Sequence, residues 1–250
     1  MNKHFYFITG TDTGVGKTVV AGAIALHLRA RGVKVGVMKP AETGCRVKGG
    51  ELIPADAAFL KKVAGSDDAL ELICPYRFSE ALAPSVAARR AGEKINIKLI
   101  KKNFDAISAN NDVVIVEGAG GIMVPLRDKY LYLDLAEELG LPVVIVGRAG
   151  LGTINHTLLT VNAIRARNLE ISAIILNQGT KKSSGIAEET NADEIRALSG
   201  INRVFSLPYM PGGAKKRETL IEVGEQLESK GFFDLTKKNG KDIISRKMVS

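Results

Sequence analysis

The stretch "GTDTGVGKTVV", residues 10–20, follows the apolar run "FYFI" at residues 5–8, and its reading decides the fold. Gly14 and Gly16 let the backbone curl so that N–H groups point inward at an anion. Lys17 can reach β- and γ-phosphates, and Thr18 offers a hydroxyl to Mg²⁺. A helix starting near residue 17 adds its positive N-terminal end, and the amide of Val19 falls where an α-phosphate would sit. The full pattern wants a glycine at position 11; Thr11 stands there, and Gly10 comes one place early. Strand, glycine loop, "GKT" and helix in that order point to a nucleoside-triphosphate site rather than a plain strand-to-helix turn.

Working outward, short β-branched runs recur: "FYFIT", "VKVGVMK", "DVVIVE", "PVVIVG", "ISAIILN" and "RVFSLP". The central ones are apolar almost throughout, as parallel strands covered on both faces must be. Amphipathic stretches lie between them at 18–31, 96–110, 153–167 and 187–198, and the first ends on a glycine stop. Residues 44–55 and 179–186 read as loops. Alternating strand and helix predicts an α/β fold, a single-domain, doubly wound and mostly parallel sheet of the P-loop NTPase type. The domain is expected over 1–235, with 236–250 as a basic C-terminal tail.

Composition bounds the function. The chain has 250 residues, 45% hydrophobic and 25% charged, with 5% aromatic and no Trp, which suits a core of Val, Ile, Leu and Ala. No apolar run approaches the roughly 20 residues of a membrane helix. The start "MNKHFYFITG" has no leader pattern, and two cysteines, Cys45 and Cys74, make no disulfide framework, so a cytoplasmic location is expected. The net charge of +8 falls partly in the tail "TKKNGKDIISRKMVS" and comes without interleaved aromatics, so neither nucleic acid nor membrane is expected as a partner.

A second half of the site is needed. "DVVIVEGAGG" is a buried strand ending in Glu117, the arrangement that turns a carboxylate toward Mg²⁺, although strand-ending acids also cap helices. "EGAGG" supplies further backbone donors. "VGVMKPAETG" ends a strand on Lys39, which at the switch point of a parallel sheet should face the same crevice as the loop; a strand-end lysine can also be merely solvated. Together Lys17 and Lys39 suggest two cations around a transferring phosphoryl group.

The segments "GTDTGVGKT", "KPAETG", "VEGAGGIMVPL", "GLGTINHTLLT" and "ILNQ" together closely resemble dethiobiotin synthetase, in the same order, from residue 5 to about 210. The resemblance implies an ATP- and Mg²⁺-dependent cyclo-ligase of biotin synthesis. It would form a carbamate from 7,8-diaminopelargonic acid and CO₂, phosphorylate it, and close a cyclic urea with loss of phosphate. Carried over residue by residue, it makes Lys39 and Lys17 catalytic, gives Thr43 a substrate contact, and assigns Mg²⁺ to Thr18, Asp56 and Glu117. Nucleotide contacts carry over to Gly14, Val15, Gly16, Lys17, Thr18 and Val19, to Asp56, and to Glu117, Gly118, Ala119 and Gly120. They extend to Asn177 and Gln178, and to Pro208, Tyr209 and Met210. Asn177 has the donor and acceptor that an adenine edge requires. The resemblance also implies a homodimer in which "GLGTINH" presents helix-end amides across the interface to the substrate's distal carboxylate. His156 reads as an interface or packing residue, and "PYRFSEALAPSVAA" as a border of the substrate.

The chain departs from the family at Gly14, where a bulkier acid is common. It also lacks an acidic ribose contact at Gly212, Gly213, Ala214 and Lys215. A ParA/MinD-type regulatory ATPase would carry "KGGxGKT"; Asp12, Thr13 and Gly14 stand there without the lysine, and the tail has no clear amphipathic face. A cobyrinic-acid amidase would need a glutaminase domain, for which the chain has no room.

Overall fold

Six apolar runs pair into one parallel sheet: β1 (His4–Gly10), β2 (Val35–Met38), β3 (Val113–Gly121), β4 (Val143–Arg148), β5 (Ile171–Asn177) and β6 (Val204–Leu207). Their order is β6-β5-β4-β1-β3-β2. This computed structural model describes residues 4–179, 185–209 and 216–233, and the backbone of 237–238 and 241–242. Val113–Val116 and Val143–Val146 are fully inside, because helices cover both faces and leave no strand face for water. The expected doubly wound α/β fold is the one observed.

The helices are α1 (Lys17–Ala30), α2 (Ala55–Ala64), α3 (Leu70–Ile73), α4 (Pro84–Arg90), α5 (Ile97–Asn110), α6 (Tyr132–Glu138), α7 (Thr153–Arg165), α8 (Ile186–Ser199) and α9 (Arg217–Ser229). The first of these is buried on nearly every side from Val20 to Leu28. It can be so because glycines let its neighbours in. A Cβ at Gly22 would lie 2.8 Å from the Phe59 ring of α2, and one at Gly224 of α9 would lie 3.0 Å from the Cβ of His27.

Register sets the site. β1 runs between β3 and β4, pairing Ile8 with Glu117 and Gly10 with Val146. β2 pairs Met38 with Val116, so Lys39, one residue on, emerges level with Glu117. The chain steps from β1 out to β2, back to β3, then across to β4. The C-terminal ends of β1 and β3 therefore lie at the reversal of strand order, where doubly wound sheets bind ligands.

Residues 44–55 are not one irregular loop. Arg46–Lys48 and Glu51–Ile53 form an antiparallel ribbon, and α2 has begun by Ala55. In the tail, Lys237–Lys238 pair with Lys241–Asp242.

Candidate active site

The loop after β1 wraps around the ammonium of Lys17, which is buried and donates to the Asp12 carbonyl at 3.1 Å. The early glycine has a steric reason. A Cβ at Gly10 would sit 2.6 Å from that carbonyl oxygen and 2.9 Å from Lys17 Nζ, so position 10 must be bare for the lysine to fold back. Gly16 is constrained twice, by a φ of 104° and by the Asn177 side chain, 2.2 Å from where a Cβ would stand. Burial pulls the Lys17 pKa down to about 8 against the opposing pull of Glu117, and the nearby Lys39 charge lowers it further.

Deeper in the cleft, Glu117 is 0% exposed and Lys39 only 4%. The Lys39 ammonium donates to Glu117 Oε1 at 2.6 Å and forms an ion pair with Asp56 Oδ2 at 3.5 Å. The Thr18 hydroxyl donates to the same Glu117 Oε1 at 2.8 Å. Burial would lower the Lys39 pKa, but the charges of Glu117, Asp56 and Glu42 outweigh it, and the pKa ends above the ordinary lysine value. The other oxygen, Glu117 Oε2, is buried with no hydrogen-bond partner among the described residues. An orphan carboxylate oxygen of this kind costs about 1–3 kcal/mol or more unless something binds it. Thr18, Asp56 and Glu117 all line the cleft and offer only hard oxygen donors. That set suits Mg²⁺, which takes one or two carboxylates and fills the rest of its shell with water and phosphate.

Lys17 and Lys39 thus face a cleft of about 870 Å³ at the strand ends, lined by the phosphate loop on one part and by Glu42, Thr43 and Asp56 on another. A family profile described as an AAA domain matches residues 4–217. The chain is 44% identical over 217 residues to an ATP-dependent dethiobiotin synthetase of Anaeromyxobacter dehalogenans, covering 87% of this chain and 95% of the relative. The synthetase of the same name in Thermodesulfovibrio yellowstonii is 41% identical over 215 residues, covering 83% and 90%. That of Bacillus cereus is 40% identical over 222 residues, covering 89% and 90%. The chain belongs to the dethiobiotin synthetase family.

Of the residues that family likeness assigns, Gly14, Gly16, Lys17, Thr18 and Val19 line the cleft, as do Lys39 and Thr43. So do Asp56, Glu117, Ala119 and Gly120. Val15 is buried in the core, and Gly118 is turned toward Phe7 and Tyr132, so neither can offer more than backbone. Asn177 lies outside the cleft lining and braces the loop instead, its Nδ2 donating to the Val15 carbonyl at 3.1 Å. Gln178 is joined to β6 through its amide and the Leu207 carbonyl, 3.1 Å, which brings Pro208 and Tyr209 beside it. Met210 lies outside the described residues, as do Gly212 to Lys215. From "PYRFSEALAPSVAA", Ala81, Leu82, Ala83 and Pro84 form one wall of the cleft.

Glu42 went unnoticed in the sequence. Its carboxylate accepts the amides of Asp56 and Ala57, both at 2.9 Å, and so caps the start of α2 where Pro54 cannot. That cap fixes the backbone from which Asp56 reaches Lys39. The only signal was an acid in "KPAETG" beside Thr43.

Proposed function

We propose that this chain is an ATP-dependent dethiobiotin synthetase acting on 7,8-diaminopelargonic acid and CO₂. The observation that carries the reading is Lys39, a buried ammonium at the end of β2, within reach of both carboxylates and sharing a cleft with the phosphate loop. An amine of the substrate adds to CO₂ and releases a proton, leaving a carbamate. The carbamate oxygen attacks the γ-phosphorus and ADP departs. The second amine then attacks the carbamoyl carbon, loses its proton and expels phosphate, closing the urea. Both reactants of the middle step are anions, so their approach is opposed until cations offset the repulsion. Lys17 holds the terminal phosphates, and Lys39 supports charge developing between γ-phosphate and carbamate.

Mg²⁺ held by Thr18, Asp56 and Glu117 would draw together phosphate oxygens and offset their charge. Thr43 contacts the substrate from the cleft wall. The nucleotide base lies toward Asn177, Gln178, Pro208, Tyr209 and Met210, with the second donor and the oxygen of the Asn177 amide available to it. The phosphate groups lie along Gly14–Val19 and the backbone of Glu117–Gly120.

The protein works as a homodimer. Leu151 is 96% exposed immediately before α7, and Met123, His156 and Leu159 are exposed around a neighbouring hollow, an apolar face suited to a second copy. α7 has Gly152 as its N-cap with no side-chain cap; its Thr153 amide donates to the Gly150 carbonyl at 3.3 Å, and the next two amides, of Ile154 and Asn155, are offered to a carboxylate from the partner's site. The catalytic unit is 1–235, with 236–250 an appendage. Its partners are small molecules in the cytoplasm, with neither nucleic acid nor membrane; no described helix is long and apolar enough to cross a membrane.

The test is phosphate release with diaminopelargonic acid and bicarbonate present together, singly and not at all. Release is expected only when both are present, because the acceptor is the carbamate they form. Vigorous release with neither, or stimulation by DNA or lipid, would overturn the synthetase reading in favour of a regulatory ATPase.

A further inference from the structure

The phosphate loop carries a carboxylate, Asp12, on the hollow beside the cleft and one residue before Thr13, which lines the cleft itself. All three of its oxygens are engaged. The carbonyl accepts Lys17 Nζ at 3.1 Å, Oδ1 accepts the Thr13 amide at 2.7 Å, and Oδ2 accepts Arg148 Nη2 at 3.1 Å. Arg148 Nη2 also donates to the Thr13 carbonyl at 3.3 Å. Arg148 is the last residue of β4, and its register partner on β5 is Asn177. Two adjacent strand ends therefore reach back to the same loop, Arg148 to its tip at Asp12 and Thr13, and Asn177 to Val15. Behind them, buried Asn191 of α8 donates to the Ala149 and Gly150 carbonyls at 2.8 and 3.3 Å, which steadies the chain that carries Arg148.

We infer that Arg148 is a positioning residue for the nucleotide: its guanidinium neutralises Asp12 and tethers Thr13, so that the loop tip holds its shape without repelling the triphosphate. The inference rests on the nucleotide reading of the cleft. As a stabilising ion pair the contact is weak, since the side chains of Arg148 and Asp12 are 63% and 51% exposed. Its effect is local and electrostatic. Without Arg148, an unneutralised charge would stand one residue from the cleft that takes the phosphates, and the same carboxylate would be free to leave the amide of Thr13, which lines that cleft. Among the described residues Arg148 bonds to Asp12 and Thr13 and not to Lys39 or Glu117, so ground-state binding should suffer and the chemical step should not.

The test is ATP affinity by calorimetry, and KM and kcat by phosphate release, for the parent, Arg148→Gln, Arg148→Lys and the double variant Asp12→Asn/Arg148→Gln. Arg148→Gln is expected to weaken ATP binding and raise the ATP KM by about fivefold, with kcat held within about twofold. Arg148→Lys should recover part of the loss. The double variant should recover most of it, because the charge that Arg148 offsets is gone while Asn keeps an acceptor for the Thr13 amide. An unchanged KM in Arg148→Gln would overturn the inference, and so would a loss that Asp12→Asn does not relieve. A parent that binds no ATP would remove the nucleotide site itself. A parent that binds ATP no better than Arg148→Gln would remove only the role given to Arg148.

Discussion

Two ion pairs flank the phosphate loop, and they differ in nearly everything but sign. Lys39 and Glu117 meet in the interior at 2.6 Å, with Asp56 and Thr18 drawn onto them. Arg148 and Asp12 meet at 3.1 Å on the surface. Burial makes the first pair expensive to break, since removing one partner of an enclosed pair leaves an uncompensated charge worth about 3–5 kcal/mol. Water makes the second pair cheap to break. An enclosed pair with an unpartnered oxygen is suited to act on a reacting group, whereas an exposed pair can adjust a loop and release it.

The strongest way to break the comparison is Lys39→Ala. ATP affinity is expected to stay within about threefold while product formation falls by on the order of a hundredfold, as for a donor acting on transition-state charge. Calorimetry and dethiobiotin assay read the two halves separately. Equal losses in binding and rate would make Lys39 an ordinary phosphate contact.

The interior pair can be sharpened through the proposed Mg²⁺ site. Glu117→Gln keeps the shape but removes the charge behind the orphan oxygen, and is expected to raise the Mg²⁺ concentration for half-maximal rate by about tenfold. Asp56→Asn, at the more open end of the same cluster, should raise it by less. A titration in which Asp56→Asn matches the parent would take Asp56 out of the metal's shell.

The smallest effect concerns protons. The Lys17 pKa is lowered to about 8 in the free protein, and a bound triphosphate must raise it. Between those two values the complex holds a proton that the free protein has lost. ATP binding is therefore expected to take up a proton above about pH 8, and affinity should fall by a few-fold as pH rises through that value. Calorimetry in buffers of different ionisation enthalpy measures the uptake. Lys17→Met should abolish it along with much of the affinity, and uptake that persists in that variant would place the proton elsewhere.

Much of this arrangement was legible in the sequence, for reasons that also mark where reading stopped. The six sheet strands stood out because burial on both faces leaves near-continuous apolar runs such as Val113–Val116. Glu117 and Lys39 could be brought together because each ends such a run, and the family likeness then supplied Asp56. The ribbon at 46–53 left no trace, since its strands are exposed or half-exposed and carry no apolar alternation. Arg148 drew no reading from the sequence, because its partner Asp12 lies 136 residues away. Glu42 capped a helix from 14 residues upstream, where local capping patterns do not look.

The close approach of Gly224 to α1 bears on heredity. That helix begins with Lys17 and Thr18, and its buried length is held between Phe59 on one flank and Gly224 on the other. A side chain added at Gly224 would meet the Cβ of His27 at 3.0 Å, an atom fixed to the helix backbone, and could be accommodated only by moving the helix or α9. Such a shift is transmitted along a rigid rod to the two residues at its front end. Alleles lost to selection should therefore include changes in α9, far along the chain from the phosphate loop, whose carriers fail for want of biotin although every residue of the cleft is intact.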